Sequence, residues 1–150
     1  MKFRFVLIAT MLVPCCSLFA QEVGDTIVVI ENNAALKSES DVVGNVTAGH
    51  LLQVQEVSGD WYWVNWLGTE GWIKSSSILS LNQGITFYTK AIRREPSAFH
   101  YASRAGIWVA KEKHDLAVKD YGAAIRLAPE EPIYYHNRGV EWHQVGEYAK

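Results

Sequence analysis

The spacing of hydrophobic and polar residues changes near residue 80. Before that point, short apolar or alternating runs stand between turns built from Gly, Asn, Asp and Ser. Runs of this kind are typical of short β-strands. They cover residues 26–30, 42–46, 51–57, 61–66 and 72–74. Closely spaced short strands favour a small barrel over a sandwich, so residues 24–80 are predicted to form a β-barrel.

After residue 80 the sequence repeats itself at a spacing of 34 residues. The matching pairs are Tyr101 with Tyr135, Arg104 with Arg138, Ala105 with Gly139, and Trp108 with Trp142. Small residues at fixed positions let two antiparallel helices approach closely, and large residues fill the gaps between them. The pattern predicts helices over residues 98–111, 114–127 and 131–144.

A further helix is predicted upstream of the repeats. Tyr88 and Pro96 match Tyr121 and Pro129 at a spacing of 33 residues, which predicts a helix over residues 83–95. We expect residues 81–97 to link the barrel to the repeats and to cap them. Residues 98–150 hold one repeat and part of a second, so we expect the natural protein to be longer.

The second half of the predicted barrel resembles a known family. Gly59-Asp60-Trp61-Tyr62-Trp63-Val64, followed by Gly71-Trp72-Ile73-Lys74-Ser75, resembles the end of an SH3 or bacterial SH3-like (SH3b) domain. The resemblance implies a one-turn helix and a final strand after these residues. It also implies that Trp61 stacks on a ligand. Lys74 and Ser77 stand where the binders of proline-rich peptides have Pro and Tyr, so polyproline binding is not predicted.

The aromatic strand supplies the candidate ligand-binding residues. Neighbouring residues of a strand point to opposite faces, so at least two of its large rings should be partly exposed. Most of these rings are expected in the core or at the barrel rim, and the exposed ones could bind a ligand. The candidates are Trp61, Trp63, Trp66 and Glu70.

The helical pattern is similar to the tetratricopeptide repeat (TPR), with Ala98 as its first position. The predicted fold class is therefore multidomain β + α: a small SH3-like β-barrel followed by an α-helical TPR solenoid. The resemblance implies a concave face that holds a protein or peptide partner. The candidate partner-binding residues are Phe99, Ile133, His136, Asn137, Val140, His143 and Gln144.

The first twenty residues have the composition of a secretory signal. Lys2 and Arg4 supply its positive charge, the apolar run that follows is short for a membrane span, and a cleavage site precedes Gln21. Residues 1–20 are thus predicted to be removed on export. No later stretch is apolar enough to span a membrane, which predicts a periplasmic or cell-envelope location.

The two cysteines, Cys15 and Cys16, both lie within the predicted signal. They raise lipid attachment as an alternative, but Pro14 stands where that signal has a small residue, which favours cleavage without a lipid. The exported chain then has no cysteine. Disulfides, thiolate nucleophiles and cysteine-based zinc sites are excluded.

Charge and motif content exclude several function classes. The net charge is −2, so the chain as a whole does not attract nucleic acid. Residues 21–80 carry eight acidic side chains against two basic ones, and residues 81–150 carry ten basic against eight acidic. His136 and His143 share a helix face but lie about 10 Å apart by helical rise, too far for one metal. We predict no catalytic residues, no metal and no cofactor, because no catalytic motif occurs.

Three functions fit these observations. The preferred one is an exported, non-catalytic binding or scaffold protein, whose barrel takes a peptide or cell-wall (peptidoglycan) ligand and whose helices take a protein. In the second, the barrel only caps a longer helical array, and residues 83–95 cover Trp61. In the third, the chain is the targeting end of a larger envelope enzyme.

Overall fold

A computed structural model describes residues 21–146, and the predicted signal at residues 1–20 and the last four residues lie outside this range. The first part of the described chain forms seven strands. They are β1 (Thr26–Val29), β2 (Ala34–Ser38), β3 (Asp41–Val46), β4 (Leu51–Ser58), β5 (Trp61–Trp66), β6 (Thr69–Lys74) and β7 (Ile78–Ser80). A one-turn 3-10 helix at Ser75–Ser77 precedes β7.

All strand pairs are antiparallel, and the order across the sheet is β3-β2-β6-β5-β4-β1-β7. Side chains from all seven strands nevertheless meet in one apolar core. In a flat sheet the outer strands would lie about 29 Å apart, given a spacing of about 4.8 Å per strand. The sheet is therefore curled around this core.

β1 is buried on both faces, which explains its uninterrupted run of β-branched residues. Ile27 and Val29 point into the core of the curled sheet, and Val28 points the other way. Val28 meets Tyr88 and Ile107 from the helices in a second apolar cluster. Strands that are covered on both faces lose the alternation of apolar and polar residues.

Four helices follow the sheet: α1 (Leu81–Arg94), α2 (Ala98–Ala110), α3 (His114–Leu127) and α4 (Pro132–Gln144). They lie within three residues of their predicted bounds. α1 begins directly after β7, because Ser80 ends the strand and also caps the helix. Its side chain accepts a hydrogen bond from the Gln83 backbone, and the Gln83 side chain accepts one from the Ser80 backbone.

The contact between α1 and the sheet depends on Gly84. A Cβ atom at this position would lie 2.6 Å from Cγ1 of Val28 and 2.9 Å from Cδ1 of Ile107. The missing side chain lets the helix backbone lie against β1 and α2 together. Sheet and helices thus share a core at this junction.

The predicted fold class, a separate SH3-like barrel followed by a TPR solenoid, is wrong. The described chain is a single domain with a seven-stranded antiparallel sheet followed by four helices. The second cluster joins β1, α1 and α2, so the change of pattern near residue 80 marks a change of secondary structure and not a domain boundary. Residues 21–146 contain no solenoid of several helical repeats, because α1 and α2 pack against the sheet.

Two strands were missing from the five predicted from the hydrophobic pattern. β2 contains Lys37 and Ser38 and has too little apolar content to stand out, although Leu36 is fully buried. β7 is only three residues long and passes straight into α1. No helix within residues 21–146 is long and apolar enough to cross a membrane.

Candidate ligand-binding groove

The outer face of the sheet carries a cavity of about 570 Å³ next to Trp61. It is lined by Lys37, Glu39, Ser40, Ser58, Trp61 and Trp72. These residues come from β2, the turn after it, and strands β4, β5 and β6. We call this cavity the outer groove.

The alternation of β5 explains why tryptophan rings stand on the outer face. Tyr62 and Val64 point into the sheet core, so Trp61 and Trp63 point away from it and remain partly exposed. Trp63 lies opposite Trp72 of β6, and the two rings meet edge to face with centroids 5.3 Å apart. This aromatic pair supports the Trp72 wall of the outer groove.

Charged groups of both signs flank the rings. The ammonium nitrogen of Lys37 lies 5.5 Å from the centre of the Trp61 ring, within the range of a cation–π contact. Glu39 and Ser40 form the two-residue turn between β2 and β3, and Glu39 has a positive φ of 55°. The outer groove thus combines indole faces, an ammonium group, a carboxylate and two hydroxyl groups.

Trp66 and Glu70 do not join the other candidates. Trp66 packs against the sheet core and meets the His50 ring edge to face, with centroids 4.3 Å apart. The Glu70 carboxylate accepts a hydrogen bond of 3.3 Å from Asn65, near the turn between β5 and β6. Asn65 is four residues from Trp61, which is about 13 Å along a strand.

Sequence reasoning missed most of the residues that line the outer groove. Lys37, Glu39, Ser40, Ser58 and Trp72 were not among the candidates. Trp72 could have been found, because a hairpin that pairs Trp63 with Trp72 puts both rings on one face. The β2 residues could not, because β2 was not predicted to be a strand. Ser77 is buried and donates a hydrogen bond to Glu31, so it adds nothing to the outer groove.

The helix-side candidates fall into four places. His136, Val140, His143 and Gln144 line a shallow cavity of about 580 Å³ along α4. Asn137 lies beside a second cavity of about 410 Å³ that also touches β4 and α2. Ile133 is exposed on the first turn of α4. Phe99 lies away from α4, with its ring centre 6.3 Å from that of Tyr88.

One ion pair and one histidine–carboxylate contact join the helices. Asp120 of α3 accepts two hydrogen bonds from the Arg104 guanidinium, at 2.8 and 2.7 Å, and one of 3.1 Å from the Trp108 indole. Nδ1 of His114 lies 2.6 Å from the buried carboxylate of Glu141. Burial, with the nearby Glu141 charge, raises the pKa of Tyr121 to about 12. These polar groups hold helices together and do not open into the outer groove.

Within residues 21–146, no group of three or more His, Cys, Asp or Glu side chains could hold a metal ion. In comparisons with known proteins, no protein-family model, no curated protein and no solved structure matched this chain.

Proposed function

We propose that this chain is an exported, non-catalytic binding protein that holds a cell-wall glycopeptide, or a peptide of similar chemistry, in the outer groove. The observation that carries the proposal is the position of Trp61 and Trp72 in a cavity that also contains Lys37 and Glu39. Partly exposed tryptophans beside a cavity are typical of binding sites. The resemblance of residues 59–75 to bacterial SH3-like domains supports the same conclusion.

The groups in the outer groove indicate the chemistry of the ligand. The face of an indole ring stacks on the apolar face of a sugar or on an aliphatic side chain. The Lys37 ammonium suits a carboxylate, and the Glu39 carboxylate suits an amine. The stem peptides of a cell wall carry both kinds of charge beside a sugar chain, so they match this combination.

The contacts of Trp61 disfavour the alternative in which the sheet is only a cap. That alternative requires residues 83–95 to cover Trp61. The groove residues around Trp61 come from the sheet and its turns, and α1 packs instead on the β1 and β7 side. Trp61 therefore remains available to a ligand.

We expect Trp61→Ala to abolish retention of the chain on purified peptidoglycan. Removing the ring takes away the largest apolar surface of the outer groove and the partner of the Lys37 ammonium. Loss of a central aromatic anchor weakens binding by about 2 kcal/mol or more, roughly thirtyfold. The measurement is a pull-down with the whole chain from Gln21, because β1 needs α1 and α2 to cover Val28.

Phe87→Ala is the matched control, since Phe87 is an exposed aromatic residue on α1, outside the outer groove. It should leave retention unchanged, and thermal unfolding should show that both variants are folded. Competition with soluble stem peptide or with soluble sugar chains then shows which of the two parts of the cell wall the outer groove binds. Equal retention of the parent chain and Trp61→Ala would contradict the proposal. If the parent chain is folded and is still not retained, the proposal is wrong and the sheet has a structural role.

The helix side supplies a surface for a protein partner in the same proposal. Ile133 and Val140 are exposed apolar residues on α4, and His136, His143 and Gln144 place polar groups beside them. A mixed surface of this kind is typical of the rim and centre of a protein interface. Binding at α4 leaves the outer groove free, so the chain can act as a scaffold between two ligands.

A further inference from the structure

One row of side chains crosses the outer face of the sheet from strand to strand. Strand pairing places Glu56 of β4 opposite Trp63 of β5, and Trp63 opposite Trp72 of β6. The pairing continues from Trp72 to Lys37 of β2, and from Lys37 to Val42 of β3. Residues that lie directly opposite each other in neighbouring strands point to the same face of a sheet. We call these five residues the transverse row.

The transverse row extends beyond the outer groove on both sides. Lys37 and Trp72 line the outer groove, whereas Glu56, Trp63 and Val42 do not. Five neighbouring strands are separated by four strand spacings, so the row is about 19 Å long. Glu56 and Val42 at its ends are exposed, and Trp63 and Trp72 are partly exposed. The row is therefore an open surface that passes through the outer groove.

The opposite face of the same strands belongs to the sheet core, which holds the transverse row in place. Residues next to the row in β2, β5 and β6 are buried in that core: Leu36, Tyr62, Val64 and Ile73. On the outer face, the planes of the Trp63 and Trp72 rings are inclined at 66°. Two inclined rings offer two separate stacking surfaces, which suits a ligand made of linked rings better than a single flat ring.

The charged groups of the transverse row are available to a ligand. Within residues 21–146, neither the Glu56 carboxylate nor the Lys37 ammonium belongs to an ion pair. A carboxylate accepts hydrogen bonds from hydroxyl groups, and an ammonium group donates them to hydroxyl or carboxylate oxygens. The two tryptophans stand between these two groups. This order suits a sugar chain, whose ring faces are apolar and whose ring edges carry hydroxyl groups.

The position of the two rings within the sheet disfavours an extended peptide as the occupant. A peptide that adds to a sheet pairs with the backbone of an edge strand. Trp63 and Trp72 stand on β5 and β6, and each of these strands has a neighbour on both sides. Their backbone groups are therefore used in the ladders of the sheet. A ligand of the transverse row must be held by ring faces and side-chain charges.

We propose, building on the proposed function, that the transverse row binds the sugar chain of the cell-wall ligand, with successive sugars stacked across successive strands. One sugar ring is about as long as one strand spacing, so a row of about 19 Å holds about four linked sugars. Lys37 and Trp72 belong both to the row and to the outer groove. A stem peptide attached to a sugar in the middle of the row therefore reaches the outer groove.

Soluble β-1,4-linked oligomers of N-acetylglucosamine, from one to six sugars long, measure the length of this site. Each oligomer is titrated into the whole chain from Gln21, and binding is followed by tryptophan fluorescence and by calorimetry. We expect the affinity to rise by about tenfold or more between two and four sugars, because the longer oligomer also reaches the Trp63 ring and the Glu56 carboxylate. Sugars beyond the fourth should add little, since the row ends there.

Glu56→Gln distinguishes the end of the transverse row from its middle. The substitution keeps the size and removes the charge, so we expect binding of the four-sugar oligomer to weaken by about tenfold, the lower end of the range for a hydrogen bond to a charged group. Binding of the two-sugar oligomer should not change, because the shorter ligand stays beside Trp72 and Lys37. Trp63→Ala should show the same dependence on length, and thermal unfolding checks that this variant is folded. The matched control is Glu130→Gln, which removes an exposed carboxylate between α3 and α4 and should change neither affinity.

Equal affinity for oligomers of two and four sugars, or an equal effect of Glu56→Gln on both lengths, would overturn the proposal and confine binding to the outer groove. A chain that peptidoglycan retains through Trp61, but that binds no oligomer, would also overturn it. The ligand would then be the stem peptide, and the proposed function would stand. A chain that binds the four-sugar oligomer and is not retained on peptidoglycan would support the sugar site and contradict only the proposed cell-wall function.

Discussion

Asp120→Ala should lower the free energy of unfolding by about 3 kcal/mol, the lower end of the range for breaking a buried ion pair. The side chain of Asp120 is 9% exposed and that of Arg104 is 18% exposed. Removal of the carboxylate leaves the Arg104 charge without its partner in a poorly solvated place. The Trp108 indole loses its acceptor at the same time.

The effect extends over three helices, because one guanidinium joins them. Arg104 of α2 binds Asp120 of α3 and Thr89 of α1. The Asp120 carboxylate raises the pKa of Arg104 through its hydrogen bonds. The arginine stays charged even after this carboxylate is removed, because a guanidinium group is protonated at any ordinary pH. A charged group that cannot be neutralised keeps its full desolvation cost. Asp120→Asn retains an acceptor oxygen and should cost less than Asp120→Ala.

Urea unfolding followed by circular dichroism measures this difference. Lys119→Ala is the matched control, since it removes a pair on the same helix that is exposed on both sides and separated by 3.8 Å. Exposed pairs contribute at most about 1 kcal/mol, so the control should change stability little. A loss for Asp120→Ala that is no larger than the loss for Lys119→Ala would show that the Arg104 network does not hold the helices together.

The helices could be predicted from the sequence because small and large residues recur at the positions where neighbouring helices pack together. Ala105, Ala117 and Tyr121 sit in one buried cluster between α2 and α3, as their positions in the repeat require. The bounds of α3 were predicted without error. Polar partners were harder to predict. Asp120 was not singled out, because nothing local distinguishes an aspartate that will face Arg104 from one that faces water.

For the residues around the outer groove, the sequence indicates the direction of a side chain only where that direction depends on a single strand. The alternation within β5 is a local property, and it puts Trp61 and Trp63 on the outer face. The other walls of the outer groove depend on which strands become neighbours. β2 pairs with β6, which is far from it in sequence, and this brings Lys37 opposite Trp72. No property of residues 34–40 taken alone reveals that partner.

The prediction of two separate domains was wrong because α1 packs closely against the sheet, and the residue that allows this approach, Gly84, has no side chain. In a helix, glycine is usually unfavourable, and Gly84 gave the hydrophobic pattern no apolar residue to count. Its importance lies in the space it leaves for Val28 and Ile107. The hydrophobic pattern of a sequence indicates which faces of an element are apolar. It does not indicate how closely the backbones of two elements approach each other.

Gly84→Ala should therefore destabilise the chain, by about 2 kcal/mol, the middle of the range for overpacking a core. The added methyl group would lie 2.6 Å from Val28 and 2.9 Å from Ile107, so α1 must move away from β1 and α2 together. The loss should appear equally in the circular dichroism of the helices and in the tryptophan fluorescence of the sheet. Both halves share the disturbed core, which couples their unfolding.

Gly106→Ala separates packing from helix propensity. Gly106 is also a helical glycine, but a Cβ there meets nothing within 4 Å. Alanine should then stabilise α2 by about 0.5 to 1 kcal/mol through helix propensity alone. Opposite signs for the two substitutions are expected only if α1 lies against the sheet. If Gly84→Ala were also stabilising, or if the fluorescence and circular dichroism transitions came apart, sheet and helices would be independent units after all.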